Sequence, residues 1–208
     1  MKKCIVVLSA IMILFVGTFS LSSFAGSSET ALMREWGILL NNTSHADNQE
    51  IYAKGKNAVV LEKDVQRATD FYIMNGLNET EARTKAEAYM MEYEAMYNKA
   101  IQAGFQVTDN EVKSYIEELK KEVEEATNRD EVMAVIDQFE SEDAYWEYEF
   151  EVYRKSLPIQ NYVKNLEMSY KENTSSSRSI SAEEIEQTWA DEFESINQQA
   201  VQDERYVK

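Results

Sequence analysis

The stretch Gln102–Ile116, QAGFQVTDNEVKSYI, decides the fold, because one apolar pattern ends in it and another begins. Gly104 can adopt the positive φ with which many helices end. Thr108 is followed three residues later by a glutamate, which is the spacing of a capping box at the start of a helix. Phe105 and Val107 alternate between these two signals, so we expect an extended link whose apolar side chains enter the core. The stretch predicts a sharp turn between two amphipathic helices.

The residues before this turn also have helical spacing. Asn78, with a glutamate three residues later, predicts the start of a long helix that runs to about Ala103. A shorter helix is predicted over about 61–75, where Gly76 stops it. Residues 51–60 alternate around a glycine-containing turn, and they form either a small β-hairpin or an extended arm.

Helical patterns continue after the turn. The first runs to about Val123, and Asn128 has the spacing of a cap for a short helix. Another helix is predicted from near Ser141 to Tyr170. Pro158 lies inside it and lacks the N–H of a helical residue, so we expect a kink or two collinear segments there.

The C-terminal part of the chain combines a linker with a helix. Residues 171–180 are polar and Ser-rich, which is typical of a linker. Residues 181–208 begin with a Ser-x-x-Glu capping box and carry an apolar stripe. A soluble monomer tends not to expose such a stripe, so we expect this helix to dock on the domain. The preceding long helix carries two apolar stripes. The predicted seat is the second of them, which consists of Trp146, Phe150, Tyr153 and Leu157.

The composition favours an all-α fold, a helical bundle with at most a tiny β-hairpin. The chain has 208 residues but only 6 Gly and 1 Pro, and β-rich folds need many turns that use these residues. Its net charge of −17 repels nucleic acid and anionic membranes, which excludes them as partners. The only cysteine, Cys4, precedes an apolar run, so no disulfide, lipid anchor or cysteine-based metal site is expected.

The N-terminus has the pattern of a secretion signal. A basic start, an apolar run and small residues predict a signal peptide over 1–25, cleaved between Ala25 and Gly26. The alternative is an uncleaved membrane anchor, which would be the only contact with a membrane. Residues 26–50 are then an N-terminal extension with a short helix and a polar loop. The single histidine, His45, lies in that loop, and we expect it to be solvent-exposed.

Three segments in order carry a resemblance to a known family: NAVVLEKDV (57–65), AGFQVTDNEVKSYIEEL (103–119) and YWEYEFEVYRKSLPIQNYVKNL (145–166). They resemble the N-terminal domain of the SurA/PrsA-type periplasmic and extracellular foldases. The resemblance implies a helical domain over 51–170, completed by the C-terminal return helix, that forms a cradle for non-native polypeptide. In that family a parvulin-type isomerase domain usually follows the long helix, and here the Ser-rich linker occupies its place. We therefore expect no isomerase activity.

The leading hypothesis for function is a non-enzymatic, chaperone-like module in the cell envelope or secreted from it, which binds unfolded or partly folded secreted proteins. The 12 Tyr and 9 Met support it, because both side chains suit varied apolar partners. Most of them have core spacing, whereas Met91 points away from the apolar face and is expected to be exposed. The candidate client-binding residues are Met91, Tyr97, Tyr115, Trp146, Phe150 and Tyr153.

Two other classes of function stay open. A regulatory or structural envelope protein would bind one defined partner through the same apolar stripes. An enzyme is the least favoured class, since the sequence contains no nucleophile–base arrangement, phosphate loop or metal motif. The neighbouring carboxylates of Glu142 and Asp143 face different directions on a helix and do not form an acid–base pair. No catalytic residue, cofactor or metal ligand is predicted.

Overall fold

The computed structural model describes residues 29–44, 49–177 and 181–208. Within these ranges the chain forms seven α-helices and one antiparallel hairpin, which confirms an all-α fold with a small hairpin. The elements are α1 (Glu29–Ser44), β1 (Ile51–Lys54), β2 (Val59–Leu61), α2 (Glu62–Met74), α3 (Glu79–Gln102), α4 (Asp109–Glu125), α5 (Arg129–Ile136), α6 (Glu142–Ser177) and α7 (Ala182–Glu204). The predicted signal peptide over 1–25, its Ala25–Gly26 cleavage site and His45 lie outside the described residues.

The turn between α3 and α4 has the predicted geometry. Gly104 has a φ of 89°, which only glycine adopts without strain. The Thr108 hydroxyl accepts a bond from the Glu111 N–H, and the Glu111 carboxylate accepts one from the Thr108 N–H at 2.7 Å, so the capping box is complete. Phe105 is half-buried, with its ring centroid 5.5 Å from that of Tyr162. It covers the edge of the core and does not fill its interior.

The predicted N-terminal extension over 26–50 contains α1, and this helix packs into the core. Trp36 and Leu40 are buried, and the Trp36 ring meets Phe71 of α2 edge-to-face at 4.9 Å. A Cβ on Gly37 would lie 2.6 Å from the backbone oxygen of Val135, so the glycine allows α1 and α5 to approach closely.

The long helix α6 is one continuous helix through the buried Pro158 and not two segments. It extends to Ser177, beyond its predicted end near Tyr170. The predicted linker over 171–180 is therefore helical up to residue 177. Within this stretch Lys171 forms ion pairs with Glu167 on its own helix and with Glu186 of α7.

The C-terminal helix α7 lies against α3 and the second half of α6. Trp189 and Phe193 are buried, and the Trp189 ring centroid is 5.6 Å from that of Tyr170. The predicted seat on the stripe Trp146, Phe150, Tyr153 and Leu157 is wrong, because α4 packs along this first half of α6.

The residues after α7 connect the end of the described chain to the hairpin. Val207 pairs with Lys54 of β1 through two backbone bonds of 2.9 and 3.0 Å. The buried carboxylate of Glu204 accepts bonds from the backbone N–H groups of Asn57 and Ala58 at 2.7 and 3.1 Å. It also accepts one from the side chain of Asn98 on α3 at 2.5 Å. Glu204 thus joins the hairpin, α3 and α7.

Candidate functional site

A cleft of about 620 Å³ lies between α4 and the first half of α6; we call it the α4–α6 cleft. Its apolar side chains are Ile116, Trp146 and Phe150. Trp146 is held in place, since its indole N–H donates to Glu142 at 3.0 Å and the Lys120 ammonium lies 5.5 Å from its ring centroid. Phe150 is half-buried and offers the more accessible apolar surface.

Two more of the predicted client-binding residues lie beside this cleft. The rings of Tyr115 on α4 and Tyr153 on α6 are in contact, with centroids 4.7 Å apart. Tyr153 is buried and Tyr115 is half-buried, so this pair holds α4 against α6 and is not a free surface. Tyr97 belongs to α3, where the ammonium of Lys155 lies 5.3 Å from its ring. It does not line the α4–α6 cleft.

Met91 was predicted to be exposed, and this prediction is wrong. Its side chain is half-buried and packs against the core. The Tyr206 hydroxyl donates to the Met91 backbone carbonyl at 3.1 Å, so the C-terminal segment covers this side of α3. The helical period of α3 carries no information about a segment more than a hundred residues later in the chain.

A second cavity, of about 520 Å³, lies on the other side of α6; we call it the α2–α6 cavity. Two ion pairs line it. Asp64 and Arg67 of α2 are 2.7 Å apart, and Lys155 of α6 pairs with the buried Glu94 of α3. Burial raises the pKa of Glu94, and the charge of Lys155 opposes that rise. The walls between these pairs are largely tyrosine rings and aliphatic side chains.

Glu149 is a buried carboxyl group on α6, only 1% exposed. Burial raises its pKa to about 8, and the neighbouring Tyr145 hydroxyl and the charge of Arg67 lower it only in part. Neither carboxylate oxygen has a hydrogen bond of ordinary geometry to a described residue. Glu149 lines neither the α4–α6 cleft nor the α2–α6 cavity, so it does not reach a molecule bound there.

Between the two hollows α6 carries three exposed carboxylates at four-residue spacing, Asp143, Glu147 and Glu151, which we call the acidic ridge. Asp143 borders the α4–α6 cleft, whereas Glu147 and Glu151 border both hollows. This feature was not predicted from the sequence. The spacing itself is visible in the sequence, but carboxylates are so frequent in this chain that the spacing alone indicates only a solvated face.

The described part of the chain contains no group of three or more His, Cys, Asp or Glu side chains placed to hold a metal ion. Over the same ranges, no helix combines the length and the apolar character needed to cross a membrane.

Comparison with known proteins gives no match to a family model, to a curated protein or to a solved structure. The resemblance to the foldase domain therefore stays an expectation that rests on the three quoted segments.

Proposed function

We propose that the chain is a non-catalytic, chaperone-like module that holds unfolded or partly folded polypeptides outside the cytoplasm. The observation that carries the proposal is the α4–α6 cleft, where α4 and α6 place Ile116, Trp146 and Phe150 around one opening of about 620 Å³. A cleft with apolar side chains and a charged rim suits an extended segment whose apolar side chains need cover.

The cleft suits clients of varied sequence better than one shaped ligand. Trp146 is held by Glu142 and Lys120, so Phe150 supplies most of the apolar surface that a client can cover. One half-exposed aromatic ring gives a small apolar contact at roughly 25 cal/mol per Å² of buried surface. Binding at such a surface is weak for each segment, which allows a client to be released and to fold.

The location outside the cytoplasm rests on the predicted signal peptide. N-terminal sequencing of exported protein is expected to show Gly26 as the first residue. Full-length chain found only in membranes would instead show an anchor.

The chaperone proposal is tested by Phe150→Ala. The mature chain is expected to slow the aggregation of a chemically unfolded client at roughly stoichiometric amounts, and Phe150→Ala is expected to weaken this effect several-fold. Met168→Ala is the matched control, because Met168 is an exposed apolar residue on the second half of the same helix, 49% accessible. Equal loss in both variants, or in neither, would contradict a role for the α4–α6 cleft.

The regulatory alternative differs in its selectivity. An array of unrelated peptides is expected to show many weak binders that share apolar residues. A single strong binder among them would favour one defined partner.

A standard proline-peptide assay is expected to show no isomerase activity.

A further inference from the structure

We infer that the segments bound best are extended and alternate basic with apolar residues. This inference rests on the proposed function and names its substrate class. It is carried by the acidic ridge (Asp143, Glu147 and Glu151) together with the apolar side chains of the α4–α6 cleft beside it.

The carboxylates of the acidic ridge can pair with basic side chains of a partner. Asp143 and Glu147 make no ion pair with any residue in the described ranges. Glu151 is near Arg154, at 3.3 Å, but both side chains are more than half exposed, and such pairs are weak in water. A basic client side chain can therefore approach all three carboxylates without first breaking a buried ion pair.

The surroundings of the ridge are negative on both sides. Four carboxylates but only two lysines line the α4–α6 cleft. The α2–α6 cavity has five carboxylates and three cationic side chains. With a net charge of −17 for the chain, the field at the ridge attracts cationic segments and repels anionic ones.

The spacing of the ridge matches an extended chain. Carboxylates four residues apart on a helix are separated by about 6 Å along its axis. Alternate residues of an extended segment are about 6.6 Å apart and point to the same side. A segment lying in the cleft along α6 can thus place every second, basic side chain near a carboxylate of the ridge. The residues between them point to the opposite side of the segment, toward Ile116 on α4.

The test compares three labelled heptapeptides by fluorescence anisotropy: alternating Lys-Phe, Ser-Phe and Glu-Phe. The mature chain is expected to bind the Lys-Phe peptide most tightly and the Glu-Phe peptide least. A ridge variant, Asp143→Asn with Glu147→Gln and Glu151→Gln, is expected to bind the Lys-Phe peptide about tenfold more weakly, as three exposed ion pairs suggest. Its affinity for the Ser-Phe peptide is expected to stay within about twofold of that of the unaltered chain.

The matched control removes three carboxylates elsewhere: Glu118→Gln, Glu122→Gln and Glu125→Gln, all exposed on α4 and absent from the lining of both hollows. It changes the net charge by the same amount, and it is expected to weaken Lys-Phe binding less than about twofold because distant exposed charges are screened. Equal weakening by ridge and control variants would overturn the role of the ridge.

The remaining outcomes separate this inference from the proposed function. Similar affinity for all three peptides, with aggregation still suppressed, would overturn the preference for basic residues and leave the proposed function standing. No binding of any peptide together with no suppression of aggregation would overturn the proposed function itself. Circular dichroism and thermal melts of both triple variants establish that they are folded.

Discussion

Two buried carboxyl groups show how strongly the surroundings of one residue decide its chemistry. The Glu204 carboxylate loses water on burial, but bonds from Asn57, Asn98 and Ala58 outweigh this loss and lower its pKa. Glu149 is buried as deeply without such donors, and its pKa rises to about 8. The sequence shows two glutamates in helices, and neither spacing nor composition distinguishes them. Which one is charged at neutral pH depends on contacts from distant segments.

The Glu149 environment predicts a pH-dependent gain in stability for Glu149→Gln. In the unfolded chain this carboxyl ionises near its ordinary pKa, whereas in the folded chain it keeps its proton up to about pH 8. Its contribution to the free energy of unfolding is thus fully present below the ordinary pKa and is lost as the pH rises to about 8. The variant is expected to match the unaltered chain near pH 4 and to be more stable by a few kcal/mol at pH 8, at about 1.4 kcal/mol per unit of pKa shift.

Urea unfolding at the two pH values measures this difference. Glu147→Gln is the control, because Glu147 is an exposed carboxylate two residues away on the same helix and the variant removes the same charge from the surface. A stability difference for Glu149→Gln that is the same at pH 4 and pH 8 would contradict the assigned protonation.

At the scale of the elements, the caps at helix ends could be predicted from the sequence, whereas the packing of one helix on another could not. The capping boxes at Thr108 and Ser181 form as predicted, because every group involved lies within four residues. Asn128 stands at the start of α5 but makes no side-chain cap bond. The seat of α7 was misplaced because α7 packs on α3 and on the second half of α6, and no local spacing pairs it with these distant elements.

The observed seat of α7 is tested by a double-mutant cycle. Trp189→Ala is expected to lower the free energy of unfolding by about 3–5 kcal/mol, since Trp189 is a buried aromatic. Combined with Tyr170→Ala, it is expected to show a coupling of about 0.5–1.5 kcal/mol, because the two rings are in contact. Combined with Phe150→Ala, it is expected to be additive within about 0.5 kcal/mol. Coupling to Phe150 and not to Tyr170 would restore the seat predicted from the sequence.

For the whole molecule, the sequence indicated the fold class, the hairpin as one of two options and the turn at Gly104. It did not indicate how the fold closes. Glu204, Tyr206 and Val207 reach back to the hairpin and α3, and no local pattern predicts such contacts. The α4–α6 cleft was half predicted: Trp146 and Phe150 were named, but the α4 side chains that face them were not.

Because Glu204 joins α7 to the hairpin, Glu204→Ala is expected to make the backbone amides of the hairpin that it binds exchange their hydrogens faster. Removing the carboxylate leaves the N–H groups of Asn57 and Ala58 without their acceptor, and for the buried N–H of Ala58 this costs about 1–3 kcal/mol. Hydrogen exchange at these two amides is expected to accelerate by at least tenfold, together with a lower free energy of unfolding. Asp203→Ala is the control, because its ion pair with Lys99 lies at the surface, where such pairs are weak. Unchanged exchange at both amides would show that they have other acceptors.

The contact between Asn57 and Glu204 also sets an order of events in time. The two residues are 147 positions apart, so a chain delivered N-terminus first exposes its hairpin long before the matching carboxylate arrives. Until then the backbone N–H of Ala58, which is buried in the finished fold, lacks its acceptor. Closing so long a loop is also an entropically costly, late step in folding. During its synthesis, therefore, this chain stays incompletely folded until the last turn of α7, which carries Glu204, binds the hairpin.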